Sequence, residues 1–178
     1  MATLFCAWPV TVEGANTTAT EEMGVTVNGV DVGVGAGTGW SYATNVLTLS
    51  GAGPFVLSSV GASTNVRVVV RSNLTCAVTM SDLRLSNSVC SPFLLETNAN
   101  VSLTLVGQFN ELIAHNDPYA GLQVPAGTTL SITNAEGNPG AYLLAMGGTS
   151  PAPASPVGLI SLRNGMKRNK AMSPTRSI

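Results

Sequence analysis

The 178-residue sequence has few charged residues, few aromatic residues and a single histidine. Charged residues make up 10% of the chain, against roughly 25% in an average soluble domain. No stretch places apolar residues every three to four positions over a dozen residues, so amphipathic helices are not expected. Because aromatic residues make up only 5% of the chain, the core is expected to be aliphatic.

Positive charge is scarce in the first 150 residues, where three arginines stand against nine acidic residues for a net charge of −6. Nucleic-acid binding needs clustered Lys or Arg, so no nucleic-acid partner is expected. The N-terminal segment has no charged leader and its apolar run ends at Pro9, which predicts neither a signal peptide nor membrane insertion. We interpret the chain as part of a longer protein.

Cysteine and histidine are too few and too scattered for a zinc site. Cys6, Cys76 and Cys90 form no CxxC pair, and a Cys76–Cys90 disulfide stays open as an alternative to two free thiols. The segment Glu111–Tyr119 brings His115 near two acidic residues, but its Asn-Asp-Pro sequence is typical of a turn. No metal, no cofactor and no catalytic residue are predicted.

What the chain does contain is Val, Thr, Ser, Asn and Gly, a mixture typical of strands and turns. The stretch "GVTVNGVDVGV" alternates, with Asn28-Gly29 at a hairpin-type turn. Three later segments share one pattern of a short apolar strand, a polar turn and a second strand: "VVVRSNLTCAVTMS", "FLLETNANVSLTLVG" and "GLQVPAGTTLSITN". Equivalent apolar residues lie eight apart, and the copies are offset by 25 and 29 residues: Val70 and Val78, Leu95 and Leu103, Val124 and Ile132.

Repetition at this period indicates a solenoid or a propeller, whose repeats bury their apolar faces against neighbours. Propeller blades need about 40 residues and an aromatic signature, which is missing. We therefore predict an all-β chain, a right-handed parallel β-helix of about four to six short coils, with an antiparallel β-sandwich as the alternative. The predicted organisation is an N-terminal cap or extension (1–24), the β-helix domain (25–149) and an irregular basic tail (150–178). The tail is either a Pro/Ala-rich linker with a disordered end or the product of a shifted reading frame.

Four hydroxyl-apolar-hydroxyl triplets recur along the chain: Thr48-Leu49-Ser50, Thr79-Met80-Ser81, Ser102-Leu103-Thr104 and Ser131-Ile132-Thr133. On a strand the middle residue points to one face and its neighbours to the other. If the four strands stack, the middle residues form one inner ladder and the hydroxyls form two outer rows. Such rows are expected to be solvated, to contact sugar hydroxyls or to order water at ice.

Phrases such as "VTVNGVDVG", "GWSYATNVLTLSGAGPFVLS", "VSLTLVGQFNEL" and "AGLQVPAGTTLSIT" resemble repeat regions of large bacterial surface proteins. Those regions are described as carbohydrate-binding or right-handed β-helix domains, and the resemblance covers about residues 25–149. It implies an elongated, non-catalytic, adhesin-like module on the cell surface or outside the cell. Some relatives bind acidic polysaccharides with calcium through clustered carboxylates, and this chain has no such cluster.

The predicted function is a structural or adhesive module of a bacterial surface protein that contacts carbohydrate, a polysaccharide or a cell-wall or host glycan. The candidate carbohydrate-binding residues are Thr79, Ser81, Ser102, Thr104, Ser131, Thr133, Trp40 and Tyr42. The two aromatic residues share one strand face and are expected to stack on sugar rings, or Trp40 caps the first coil. End-to-end self-association is also expected, because a solenoid exposes a strand edge at its last coil.

The alternative function is a polysaccharide-acting β-helix lyase, which needs acidic calcium ligands and a basic residue near the cleaved sugar. Its candidate residues are Asp82 and Arg84, expected on one strand face, with Arg67 and Arg71 one coil earlier. A cross-coil ion pair on a solvated face explains the same residues.

Overall fold

The computed structural model describes residues 24–148 and the backbone of residues 160–162. In this part of the chain the secondary structure is strand and turn, with one short 3-10 helix at Val32–Val34 and no α-helix. In chain order the strands are β1 (Val25–Val27), β2 (Val30–Asp31), β3 (Ala36–Gly37), β4 (Trp40–Ala43), β5 (Val46–Leu49), β6 (Phe55–Ser59), β7 (Arg67–Val70), β8 (Thr75–Ser81), β9 (Arg84–Asn87), β10 (Phe93–Leu95), β11 (Asn100–Val106), β12 (Phe109–Ala114), β13 (Leu122–Gln123), β14 (Thr129–Asn134), β15 (Tyr142–Met146) and β16 (Ile160–Leu162).

The strands form three sheets in which strands from successive coils lie side by side. Sheet A has the order β14-β11-β8-β6-β1-β2, sheet B has β13-β10-β7-β5-β4-β3, and sheet C has β16-β15-β12-β9. Each coil visits sheets B, A and C in turn, and neighbouring coils pair in parallel. The fold is a parallel β-helix, a β-solenoid of about four turns. The antiparallel sandwich is excluded because a hairpin cannot connect parallel neighbours.

The predicted repeat offsets are confirmed by the register. Val70 pairs with Leu95, 25 residues later, and Leu103 pairs with both Val78 and Ile132. The inward side chains of the sheets form one aliphatic core, in which Leu47, Val101 and Leu103 are almost fully buried. Stacking aliphatic side chains removes apolar surface from water without the helix layers that most parallel sheets need.

The turn from sheet B to sheet A, the B–A corner, keeps a constant length in the last three coils. Eight residues separate registered inward positions there: Val68 to Cys76, Phe93 to Val101, and Leu122 to Leu130. The constant length of this corner explains the eight-residue spacing between equivalent apolar residues in the sequence.

The other two corners lengthen along the chain. At the C–B corner, from sheet C to sheet B, registered positions are four, eight and then ten residues apart: Thr64 to Val68, Leu85 to Phe93, and Leu112 to Leu122. At the A–C corner the spacing over the last three coils is seven, nine and then thirteen: Val78 to Leu85, Leu103 to Leu112, and Ile132 to Ala145. The extra residues enter turns, so the core register is preserved.

Antiparallel hairpins cover the N-terminal end of the described solenoid. β1 and β2 pair through the predicted Asn28-Gly29 turn, in which both residues have positive φ, and β1 also pairs antiparallel with β6. β3 and β4 extend sheet B in the same antiparallel way. The capping structure therefore lies within the segment predicted as β-helix. Residues 1–23, most of the predicted cap, lie outside the described residues.

At the other end, β16 pairs antiparallel with β15. This strand lies in the segment whose sequence pattern predicts no strand. The remaining residues from 149 onward lie outside the described part of the chain, and so does the choice between a linker and a shifted frame. In sheet A, β14 is the last strand, and its Leu130 and Ile132 are only partly buried.

Candidate functional site

The outer face of sheet A carries hydroxyl groups, several of them in register, together with the apolar side chains of Val56, Ala77 and Val106. One row across three coils consists of Thr79, Thr104 and Thr133. In the neighbouring row, Ser102 of β11 lies beside Ser131 of β14. The six predicted Ser and Thr residues all lie on this face and are exposed or partly exposed. The four long strands β6, β8, β11 and β14 contain no charged residue. The face therefore offers neutral donors and acceptors about 4.8 Å apart between coils.

The predicted inner ladder is wrong for two of its four members. Leu103 does lie beside Ile132, but Met80 pairs with Leu105, and Leu49 lies in sheet B beside Val70. The triplet around Met80 starts two residues later in its strand than the triplet around Leu103. A shift of two keeps every side chain on its face and changes only its neighbour. The predicted double row of hydroxyls is therefore reduced to one complete row, Thr79, Thr104 and Thr133, because Ser81 lies beside Val106, Ser102 lies beside Ala77, and Thr48 is in sheet B.

The two predicted aromatic residues do not join the hydroxyl face, because they lie on β4 in sheet B. Trp40 is 5% exposed and belongs to the core cluster, with its indole over Gly37. Tyr42 is partly buried, and its hydroxyl hydrogen-bonds to Asn45 Oδ1 at 2.9 Å. Burial and the nearby Asp31 carboxylate raise the pKa of Tyr42. Trp40 thus offers almost no ring surface to a sugar and fits the capping role instead.

A cleft of about 560 Å³ lies at the C–B corner, which the sequence pattern did not predict. It is lined by Thr44, Asn45, Val46, Asn65, Arg67, Ser86, Asn87, Ser88, Val89, Cys90 and His115. The lining comes from successive coils, and it lies where the four-residue corner meets the longer ones. We attribute the cleft to this step in corner length. None of the described lining residues is acidic, and Arg67 supplies a permanent positive charge.

Hydrogen bonds hold the polar walls of this corner cleft. His115 Nε2 lies 2.6 Å from Ser86 Oγ, and the His115 backbone N–H donates to Asn87 O. The buried Asn87 side chain donates to Asn65 O and accepts from the backbone amides of Val89 and Cys90. The cleft walls are therefore set by the fold before any ligand arrives.

Arg67 is the exception in this hydrogen-bonded corner. Its Nε is buried and has no acceptor among the described residues. A buried donor without a partner costs about 1–3 kcal/mol. The positive charge of Arg67 acts on the carboxylate of Glu96. The pKa of Glu96 is lowered chiefly by hydrogen bonds from Ser72, and to a smaller extent by the charges of Arg71 and Arg67. Glu96 Oε2 accepts from both the backbone N–H and the hydroxyl of Ser72, each at 2.9 Å.

The residues of the lyase alternative are not brought together as expected. Asp82 is not on a strand face with Arg84 but in a corner, with φ 49°, where its Oδ1 accepts the backbone N–H groups of Gln108 and Phe109. Arg84 lies over the ring of Phe109 on sheet C. Arg67 is on sheet B, at the start of β7. Asp82 thus has a structural contact that explains it.

Other sequence predictions concern residues around His115 and the cysteines. Asn116–Tyr119 forms the predicted turn, closed by a hydrogen bond from Tyr119 N to Asn116 O. Cys76 and Cys90 are free, and burial raises the pKa of the Cys76 thiol. Over residues 24–148 no three His, Cys, Asp or Glu side chains are grouped to hold a metal ion. The described part of the chain also has no helix of the length and apolarity needed to span a membrane.

Ser86 and His115 form a hydroxyl–imidazole pair of the kind used in covalent catalysis, where a third group orients the imidazole. No carboxylate among the described residues hydrogen-bonds to His115. Comparisons with protein-family models, with curated proteins and with solved structures find no match for this chain. A functional assignment therefore has to come from the residues themselves.

Proposed function

We propose that this chain is a non-catalytic, carbohydrate-contacting module of a bacterial surface protein. The observation that supports the proposal is the uncharged hydroxyl face of sheet A, with Thr79, Thr104 and Thr133 in one row. Hydroxyl groups both donate and accept hydrogen bonds, as sugar hydroxyls do. A flat row that follows the solenoid axis matches an extended polymer better than a small globular ligand.

Rigidity adds to this support. The three threonines sit on parallel strands whose opposite faces are packed in the core, so their spacing is set before binding. A preordered surface loses little conformational entropy when a ligand binds. Each neutral hydrogen bond contributes only about 0.5–1.5 kcal/mol, so useful affinity requires several contacts along the row. This geometry supports a role in adhesion through many weak contacts.

The test is a glycan-array screen of the chain, with and without calcium, followed by calorimetry on each hit. The matched variant replaces Thr79, Thr104 and Thr133 with Val, which keeps the β-branched shape and removes the hydroxyls. We expect affinity for a neutral glycan to fall about tenfold or more, because three hydrogen bonds are lost. Thr48→Val in sheet B is the control and should bind as the unmodified chain does.

Two results would count against the proposal. One is an array without any neutral-glycan hit. The other is a triple variant that keeps both its circular dichroism spectrum and its full affinity. A calcium-dependent fall in polymer viscosity, with unsaturated products, would instead favour the lyase alternative.

A further inference from the structure

We infer that the corner cleft is a second binding site, which takes a small organic anion bearing a carboxylate and hydroxyl groups, such as an acidic sugar. The inference deepens the proposed function and rests on it only in naming a sugar. The cleft lies at the C–B corner, between sheets C and B, whereas the proposed glycan face is on sheet A. The two sites can therefore succeed or fail independently.

The charge of the cleft selects an anion. Arg67 is its permanent cation, and no acidic residue is among the described residues that line it. The nearby Glu96 carboxylate is held by two hydrogen bonds from Ser72, and it is not part of the lining. Between residues 24 and 148 six acidic residues stand against three arginines, so a concave site with an arginine and no acidic residue differs in charge from the rest of this segment.

The geometry of Arg67 selects a planar oxyanion. Its buried Nε–H has no acceptor among the described residues. A carboxylate meets a guanidinium edge with two parallel hydrogen bonds, one of them from Nε. Because this Nε is buried, the proposed contact requires the Arg67 side chain to turn toward the cleft, and a ligand carboxylate would then give the unpaired donor a partner.

The remaining lining selects hydroxyl groups. Asn45, Asn65 and the Ser86–His115 pair place amides, a hydroxyl and an imidazole around the same space. A volume of about 560 Å³ lies within the range of pockets that hold small-molecule ligands. The 2.6 Å hydrogen bond between Ser86 and His115 holds both side chains in place on the cleft wall, where they are available to a ligand hydroxyl.

The experiment titrates the whole chain, labelled with ¹⁵N, with sodium galacturonate, galactose, sodium acetate and sodium sulfate. We expect saturable shifts of the amides of Asn87 and His115 with galacturonate, and much weaker binding of the other three probes. Arg67→Gln should weaken galacturonate binding about tenfold or more, because it removes a charge-assisted bidentate contact. Arg71→Gln is the matched control: it removes an equal charge from a neighbouring exposed residue outside the cleft and should leave the affinity unchanged.

Further arms separate the competing explanations. Ser86→Ala should weaken galacturonate binding and leave acetate binding unchanged if the hydroxyls of the ligand are recognised. Equal loss in Arg67→Gln and Arg71→Gln would overturn the inference, since it would show only a diffuse charge effect. Equal affinity for sulfate and galacturonate would also overturn it, as would shifts that fail to saturate. The Thr79/Thr104/Thr133 variant should bind galacturonate normally, which separates a failure of this site from a failure of the sheet A face.

Discussion

The side chain of Asn110 connects successive coils from inside the protein, and its removal is expected to destabilise the solenoid strongly. Asn110 is fully buried on β12. Its Oδ1 accepts the buried N–H of Leu83 at 3.0 Å, and its Nδ2 donates to Val106 O at 3.1 Å and to Tyr142 O at 3.4 Å. One amide thus joins a coil to the coils on both sides.

Asn110→Ala leaves one fully buried N–H without an acceptor and two partly buried carbonyls without this donor. Each buried group left unpaired costs about 1–3 kcal/mol. Since only the Leu83 amide is sealed from water, we expect a total loss of about 3 kcal/mol. Asn134→Ala is the control, because its Nδ2 donates only to carbonyls of its own corner, one of them exposed and two partly buried. Its expected cost is about 1 kcal/mol.

Urea unfolding followed by far-ultraviolet circular dichroism measures both free energies of unfolding. The m-value should stay constant, because neither variant changes the surface that unfolding exposes. A loss below about 1 kcal/mol for Asn110→Ala would refute the reasoning on unpaired buried groups. If Asn110→Ala and Asn134→Ala lower the free energy of unfolding equally, the claim that Asn110 stabilises the solenoid by connecting coils is refuted.

Three further predictions concern packing, charge and association. Leu103→Ala should cost about 3 kcal/mol, and Ile132→Ala about 1 kcal/mol, because Ile132 lies in the same ladder but is only partly buried; urea midpoints in the reverse order would contradict this. Hydrogen bonds from Ser72 lower the pKa of Glu96, so this carboxylate contributes stability above the usual glutamate pKa that is lost as the pH falls through the lowered value. Ser72→Ala should raise that pKa in a ¹³C titration, and an unchanged pKa would contradict the assignment. The β14 edge should support self-association that light scattering detects at high concentration and Thr133→Lys abolishes, whereas a sharp monomer at all concentrations would count against it.

Sequence reasoning could predict the solenoid because the B–A corner is constant. The eight-residue spacing from Leu95 to Leu103 repeats at that corner in each of the last three coils, and it survives changes elsewhere. The position of a triplet within its strand could not be predicted in the same way. Met80 and Leu103 both face inward, and an alternating pattern is unchanged by a shift of two residues.

The corner cleft could not be predicted because its residues are far apart in sequence. Arg67, Ser86 and His115 come from successive corners whose lengths differ, so no fixed period links them. The signal that was available is an Arg at the start of a strand in a chain with few basic residues. The choice between sugar stacking and capping for Trp40 could not be made for a related reason, because alternation within β4 assigns a face but not whether a hairpin covers it.

The unequal corners separate the segments whose length the fold fixes from the segments whose length can change. Over the last three coils one corner keeps its length while the other two accept extra residues, so insertions at those two leave the stacked side chains undisturbed. Such a scaffold can acquire new loops, or receive grafted peptides, without redesign of its interior. The exposed turn at Asn116 and Asp117 is the natural place for a first graft.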